Sequence, residues 1–251
     1  MCTVVLFRRE GHPWPLLLAA NRDELRSRPW SPPARHWPDR DHVVGGRDDL
    51  AGGTWLALND DRVVAAILNR HHSLGPADGK RSRGELPLEA VDHAEAKVAA
   101  KALSMIDPAS YRGFNLIIAD AVDAFWLKST GEPDSTVACL PIPWGLSMIT
   151  AYDLNDTASP RIKRNLPRFQ RAPAPDPQAQ DWFAWQGLMA DSEPDPGEGP
   201  GGAMNVFAKD DFGTGSSSLI ALPDPARSGV KPKWLFAAGR PDEAPYDPVN
   251  M

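Results

Sequence analysis

The chain enters a strand almost as soon as it begins. Cys2 is followed at once by Thr3-Val4-Val5-Leu6-Phe7, a run rich in β-branched and aromatic residues. After the turn-prone Gly11-His12-Pro13 and Pro15, a second apolar run returns from Leu16 to Ala20. Such runs, bounded by Gly and Pro, read as an antiparallel hairpin. A hairpin placed so early leaves the preceding residue at a sheet end, and that residue is a cysteine.

Further along, Trp55 to Asn59 and Arg62 to Asn69 read as a second hairpin around Asp60-Asp61. The polar, Pro- and Arg-rich stretch from Arg26 to Asp49 between the hairpins reads as a long loop, either a pocket wall or lid or a surface insertion. Gly84 to Met105 is predicted helical, with Leu88, Val91, Ala94, Val98, Ala102 and Met105 at spacings of three and four. Strands are expected at Phe114 to Ala119, Ala124 to Lys128, Thr136 to Leu140 and Gly145 to Thr150. Ser159-Pro160 has the form of an N-cap followed by a first-turn proline, opening a helix through Arg171. A helix from Asp181 to Met189, a mobile Pro- and Gly-rich loop from Ser192 to Gly202, and strands at Ser216 to Leu222 and Trp234 to Ala237 complete the pattern. Strands at both ends with helices between them imply an α+β protein, read as one domain over residues 1–251.

Composition removes several classes. A formal charge of −6, without a Lys/Arg stripe, argues against a nucleic-acid surface. No run approaches the ~20 apolar residues of a membrane span, and Arg8, Arg9 and Glu10 interrupt any signal-peptide core. Two cysteines, Cys2 and Cys139, allow no disulfide framework, which fits a cytoplasmic protein. Cys139 reads as a buried small hydrophobe. The histidines His12, His36, His42 and His93 are scattered without ligand spacing, so neither a metal nor a cofactor is expected.

The chemistry concentrates at two places. A small second residue is ordinarily exposed by removal of Met1, which would leave a thiol and an α-amine together on Cys2. An α-amine titrates near about 7.7–8.0 and can take the thiol proton. The apolar run ending at Ala20 leads into Asn21-Arg22-Asp23-Glu24, four polar residues delivered to one sheet edge. Asp23 could bind or orient the α-ammonium. Arg22 could hold an anionic part of a substrate or pair with Asp23 or Glu24, and by composition alone such a cluster is more often a strand-to-loop exit with surface ion pairs.

Cys2, Asn21-Arg22-Asp23-Glu24, Gly52-Gly53-Thr54-Trp55-Leu56-Ala57-Leu58-Asn59 and Gly113-Phe114-Asn115-Leu116 together resemble the NRDE family, also called the transport-and-Golgi-organisation family. The resemblance runs over most of the chain. That family in turn is similar to the N-terminal nucleophile hydrolases of the choloylglycine and penicillin V acylase type. The similarity implies a four-layer αββα fold and a cysteine that attacks a linear amide. Carried over by position, it implies Cys2 as nucleophile, Asp23 as the aspartate near the amine with Asn21 in the same motif, and Asn59 as a donor to the oxyanion, worth roughly 10²–10³ in rate. Arg22, Trp55 and Arg70 are the residues expected around the substrate.

Three positions depart from the hydrolase pattern. The motif arginine falls on Ala20, the second oxyanion asparagine falls on Met148, and no late arginine accompanies Ser216-Ser217-Ser218. The fold survives such losses more readily than the chemistry does. Two functional classes follow. One is a cysteine amidohydrolase acting on a small-molecule amide; the other is a non-enzymatic carrier of a hydrophobic ligand such as haem or a lipid, for which His71-His72 is the only imidazole pair on offer. A homo-oligomer is expected by likeness to the hydrolases.

Overall fold

The computed structural model describes residues 2–208 and 211–251. In chain order the strands and helices are β1 (Thr3–Arg8), β2 (Leu16–Leu25), β3 (Trp30–Ala34), β4 (Val43–Asp48), β5 (Leu56–Asn59), β6 (Val64–Asn69), α1 (Leu86–Val91), α2 (Ala96–Leu103), β7 (Phe114–Ala119), β8 (Ala124–Ser129) and β9 (Ala138–Pro141). There follow β10 (Gly145–Ile149), α3 (Pro160–Arg171), α4 (Phe183–Met189), β11 (Phe212–Leu222), β12 (Lys233–Ala237) and β13 (Tyr246–Pro248). Among the described residues no helix is long and apolar enough to cross a membrane.

The chain divides into two compact units, one of residues 1–28 and 143–249 and one of residues 29–142 with the last two residues. The first holds a six-stranded sheet in the order β10-β1-β2-β11-β12-β13, all antiparallel. Its helix-facing side is a continuous apolar layer. Val5, Leu17, Ala19, Met148 and Leu219 from the strands pack with Ile162 and Phe169 of α3 and with Trp185 and Met189 of α4. Phe169 and Trp185 meet edge to face, with ring centroids 5.3 Å apart. The alternate residues Val4, Leu6, Leu18 and Ile220 are buried as well, so these strands read as unbroken apolar runs. Helix α3 starts as expected: Ser159 Oγ accepts from the Ile162 N–H, and Pro160 occupies the first turn, where its missing N–H costs nothing.

The second unit holds a seven-stranded antiparallel sheet in the order β3-β4-β5-β6-β7-β8-β9. Helices α1 and α2 cover it, burying Leu86, Val91, Ala99 and Leu103 against Val43, Ala65, Leu116, Ile118 and Leu127. The glycine pair of the Gly-Gly-Thr-Trp segment has a backbone reason. Gly52 has φ +73°, and a side chain at Gly53 would stand 2.5 Å from the Gly84 carbonyl carbon, where the Thr54 N–H donates to Gly84 O.

Several expectations change. The Pro-rich stretch after Arg26 is not a structureless loop, since it contains β3 and β4, and Pro32 and Pro33 sit in the irregularity of an edge strand that needs no donor there. The helical pattern from Gly84 to Met105 breaks after Val91. Its restart at Ala96, where the N–H donates to Asp120 Oδ2, shifts the phase, leaving Val98 and Met105 exposed while Ala96, Ala99, Ala100 and Leu103 are buried. Cys139 is exposed on edge strand β9, not buried. Strands β2 and β11 are longer than read, and β13 has no clear alternation in its three residues. The loop from Ser192 to Gly202 is anchored to α3, with Arg164 bound to Asp195 at 2.6 Å and both Arg164 and Arg168 bound to Asp191.

Candidate active site

Register brings the front of the chain to the polar tetrad. Thr3 stands opposite Asn21, so Cys2 lies beside the continuation of β2. That continuation remains strand, because β11 pairs with it as far as Leu25, placing Thr214 opposite Asp23 and Ser216 opposite Arg22. The extra residue between them is Gly215, a bulge at the point where the strands need to re-aim side chains. Arg22 uses the space: its Nη1 lies 3.8 Å from where a side chain on Gly215 would begin. The tetrad is therefore not a surface cluster at a strand exit, as Asn21, Arg22 and Asp23 are all buried.

Alternation along β2 sends Leu17, Ala19, Asn21 and Asp23 toward the helices of this unit. The Asp23 carboxylate is held at both oxygens. Oδ2 accepts from Arg161 Nη1 at 2.8 Å, and Oδ1 accepts from Thr214 Oγ1 at 2.7 Å. Arg161 Nη1 also donates to Thr3 Oγ1 at 2.5 Å, and its Nε donates to the Gly201 carbonyl at 3.2 Å. The side chains of Arg161 and Asp23 are 2 % and 0 % exposed, so water screens this ion pair hardly at all. The Thr214 hydroxyl in turn accepts from the Val206 N–H at 2.8 Å. Asn21 Nδ2 donates to the carbonyls of Met189 and Met204, both at 3.0 Å, and its Oδ1 is buried without a partner among the described residues.

Cys2 is half-buried, and its Sγ lies 3.6 Å from the Asp23 carbonyl oxygen, to which the thiol donates. Burial pushes the thiol above its ordinary value, and the Asp23 carboxylate pushes in the same direction; the Arg22 cation pulls back in part. A thiol so placed stays protonated at neutral pH and needs a base to react. Met1, whose removal would expose that base, lies outside the described residues. A cavity of about 190 Å³ opens beside the cluster, walled by Thr150, Tyr152, Ser159, Arg161, Glu198 and the glycines Gly199, Gly201 and Gly202.

The remaining expected residues lie in the second unit. Asn59 has a structural task there: its Nδ2 donates to Val91 O at 2.7 Å and His93 O at 2.8 Å, and its Oδ1 accepts from the Val63 N–H at 2.7 Å. It satisfies a carbonyl left open at the end of α1 and closes the β5–β6 turn. With both amide hydrogens committed, the side chain has none left for an oxyanion, contrary to the role implied by position. Trp55 stacks edge-on with Trp30 at 5.8 Å and lies over Gly46, where a Cβ would stand 2.3 Å from its ring. Arg70 donates to Asn115 Oδ1 at 2.7 Å, which also accepts from the Trp126 indole at 3.1 Å. His71 and His72 are exposed neighbours, with ring centroids 4.6 Å apart.

Two residues of the cluster were not foreseen as site residues, Arg161 and Thr214. Both lie in segments that resemble the family, Ser159-Pro160-Arg161 and Gly213-Thr214, without a role attached to either residue; Arg161 falls on the buried face of α3 with Ile162, Asn165 and Phe169. Met148 points into the apolar layer under α3. A carboxamide nevertheless reaches its backbone: Asn155, at φ +59°, accepts the Met148 N–H at 2.8 Å.

Residues 1–183 match the family described as Transport and Golgi organisation 2. The human Transport and Golgi organization protein 2 homolog is 34 % identical over 162 residues, 59 % of this chain and 56 % of that one. The bovine homolog is 32 % identical over 130 residues, 48 % of this chain and 45 % of its own. The matched region thus spans about half the length of these relatives. Among solved structures, the Caenorhabditis elegans N-acylethanolamine-hydrolyzing acid amidase ortholog superposes with a TM-score of 0.57 at 14 % identity, over 90 % of this chain and 95 % of that one. A mutant of conjugated bile acid hydrolase from Clostridium perfringens gives 0.52 at 11 % identity, over 100 % and 97 %. These likenesses show the fold, an α+β sandwich of the N-terminal nucleophile hydrolase type.

Proposed function

The chain belongs to the Transport and Golgi organisation 2 family, and from that premise and its fold we propose that it is a cysteine amidohydrolase acting on a linear amide of a small molecule. The observation that carries this reading is the Cys2 sulfur set against Asp23, whose carboxylate is gripped by Arg161 and Thr214 out of contact with water. The names of the two fold neighbours, an amidase and a hydrolase, support the same reaction type.

The steps follow from the groups present. With Met1 removed, the free α-amine of Cys2 accepts the thiol proton, a transfer that the raised thiol requires. The thiolate adds to the amide carbonyl carbon, and the carbonyl electron pair moves onto oxygen. Collapse of that adduct re-forms the carbonyl and breaks the C–N bond, with the departing amine taking the proton from the α-ammonium. Water then adds to the thioester, the same amine accepting its proton; collapse breaks the C–S bond, the ammonium returns that proton to the sulfur, and the product leaves as a carboxylic acid that ionises in solvent. Asp23 stabilises the ammonium formed in both halves of the cycle. Asn59 takes no part in this scheme, since its amide hydrogens bind Val91 and His93.

Intact-mass measurement of the purified full chain is expected to show loss of Met1. After incubation with a panel of N-acyl amides and acid quenching, the peptide bearing Cys2 should carry the acyl mass, and Cys2→Ala should abolish both adduct and product. A retained methionine, or turnover that persists in Cys2→Ala, overturns the proposal. Binding of haem or a fatty acyl ligand with no amide turnover across the panel would favour the carrier instead.

A further inference from the structure

The pair formed by Arg161 and Asp23 is costly where it stands. Two charges removed from water lose several kcal/mol of hydration each by general estimate, and apolar replacements of similar volume are often as stable. Beyond the few polar side chains that touch it, the pair adjoins a layer built from hydrocarbon: Val5, Ala19, Ile162 and Met189 are fully buried there. The guanidinium does not serve the carboxylate alone. One nitrogen, Nη1, spans from Asp23 Oδ2 to Thr3 Oγ1, and Thr3 is the residue directly after Cys2. The backbone carbonyl of Asp23 is the group that receives the Cys2 thiol. A single side chain from α3 thus binds both β1, at the residue after Cys2, and β2, at the residue whose carbonyl receives the thiol.

We propose that Arg161 is a positioning residue, which fixes the Asp23 carboxylate beside Cys2 and balances its charge, so that one helix position governs how reactive the thiol is. The inference rests on reading Cys2 as the nucleophile, but its test does not need turnover. The charged and titratable groups around the sulfur are Asp23 and Arg22 on β2, Arg161 on α3 and, once Met1 is removed, the α-amine of Cys2; Tyr152 and Glu198 line the cavity with Arg161. Of these, Asp23 opposes the thiolate through its charge, and Arg161 is the cation in direct contact with that carboxylate. Withdrawing the cation leaves an unbalanced anion next to the sulfur, which makes the thiolate harder to form.

Access to Arg161 is built into the cavity. Because its side chain forms part of the wall, truncation to alanine would enlarge a space of about 190 Å³ and open a route for a small planar cation. The experiment is alkylation of the full chain by iodoacetamide as a function of pH, with labelling at Cys2 and Cys139 read separately by peptide mass. Cys139, exposed in the other unit, is the internal reference. Arg161→Met is expected to move the Cys2 profile up by about one pH unit, slowing alkylation at neutral pH about tenfold, while Cys139 is unchanged. Arg161→Lys should stay within about threefold of the parent, since a point charge that can bind Asp23 is retained while the Nε contact to the Gly201 carbonyl is lost. Guanidinium chloride, kept far below denaturing concentrations, should restore Cys2 labelling in Arg161→Ala and leave Arg161→Met unaltered.

A Cys2 profile that stays in place or moves down in folded Arg161→Met overturns the proposal. Should that variant fail to fold, Arg161→Lys and the rescue of Arg161→Ala decide it, and a lack of rescue with the lysine variant as slow as alanine counts against it. A shifted profile without amide turnover by the parent protein would overturn the hydrolase reading and leave the role of Arg161 standing. Turnover by the parent with an unshifted profile would do the reverse.

Discussion

The two sheets handle polarity in opposite ways. In the first unit the helix-facing side of β2 passes from Leu17 and Ala19 straight into Asn21 and Asp23, and a guanidinium rises from α3 to meet them. In the second unit the corresponding layer is apolar through Val43, Ala57, Ala65, Leu116, Ile118 and Leu127. Its notable carboxamide, Asn59, ties a turn to the end of a helix. Burying hydrocarbon stabilises a fold in proportion to area, whereas burying an ion pair brings little or no net gain over an apolar pair. The first unit therefore carries a stability cost that the second avoids, and it carries that cost beside the candidate nucleophile.

Charge removal should expose the contrast most sharply. Asp23→Asn strands the Arg161 guanidinium in the apolar layer and is expected to destabilise by about 3–5 kcal/mol in urea denaturation. Combining Asp23→Leu with Arg161→Met should recover most of that loss while leaving the Cys2 thiol unable to form an acyl-enzyme. If the double variant is as unstable as the single, the cost lies in packing and the contrast between the units fails.

A smaller effect is expected on the other side of the comparison. Asn59→Ala leaves the Val91 and His93 carbonyls and the Val63 N–H short of a partner, a loss of about 2–3 kcal/mol. Because the role is structural, the pH profile of Cys2 alkylation should not move. A shift there would return Asn59 to the reactive site.

The gentlest test is pH. With the folded-state thiol of Cys2 raised by burial and by Asp23, the native protein holds that proton more tightly than the unfolded chain does. The associated stability is complete below the ordinary thiol value and is lost as pH rises beyond it, by at most about 1.4 kcal/mol for each pH unit. Denaturation midpoints measured across the alkaline range should fall less steeply in Cys2→Ala than in the parent. Equal slopes would mean that the sulfur is not in the environment described.

Much of the scaffold was legible because it depends on local chemistry. The hairpin of β1 and β2 follows from two apolar runs and a Gly/Pro turn, and α3 from Ser159-Pro160, which supplies both a cap and a residue suited to the first turn. Elements failed where a neighbour overrode the local pattern. The helix expected from Gly84 to Met105 splits because Asn59 donates to the open carbonyls at the break and Asp120 caps the restart, and neither partner lies in the segment itself. The tetrad was read as a strand exit because four polar residues rarely sit inside a buried strand. They do so here because β11 supplies backbone pairing and a bulge, and α3 supplies a counter-charge.

What the sequence by itself determined is the nearness of Cys2 to Asp23. Once the two apolar runs pair through a short turn, the antiparallel register leaves no other place for the tetrad, and the alternation of side chains across the strand decides which residues share a face. What only the tertiary structure decided is who answers the carboxylate. Arg161 and Thr214 come from 138 and 191 residues away, and their choice depends on how α3 and β11 close over β2. A buried charge takes its partner from whatever the packing brings within about 3 Å, and separation along the chain carries no information about that distance.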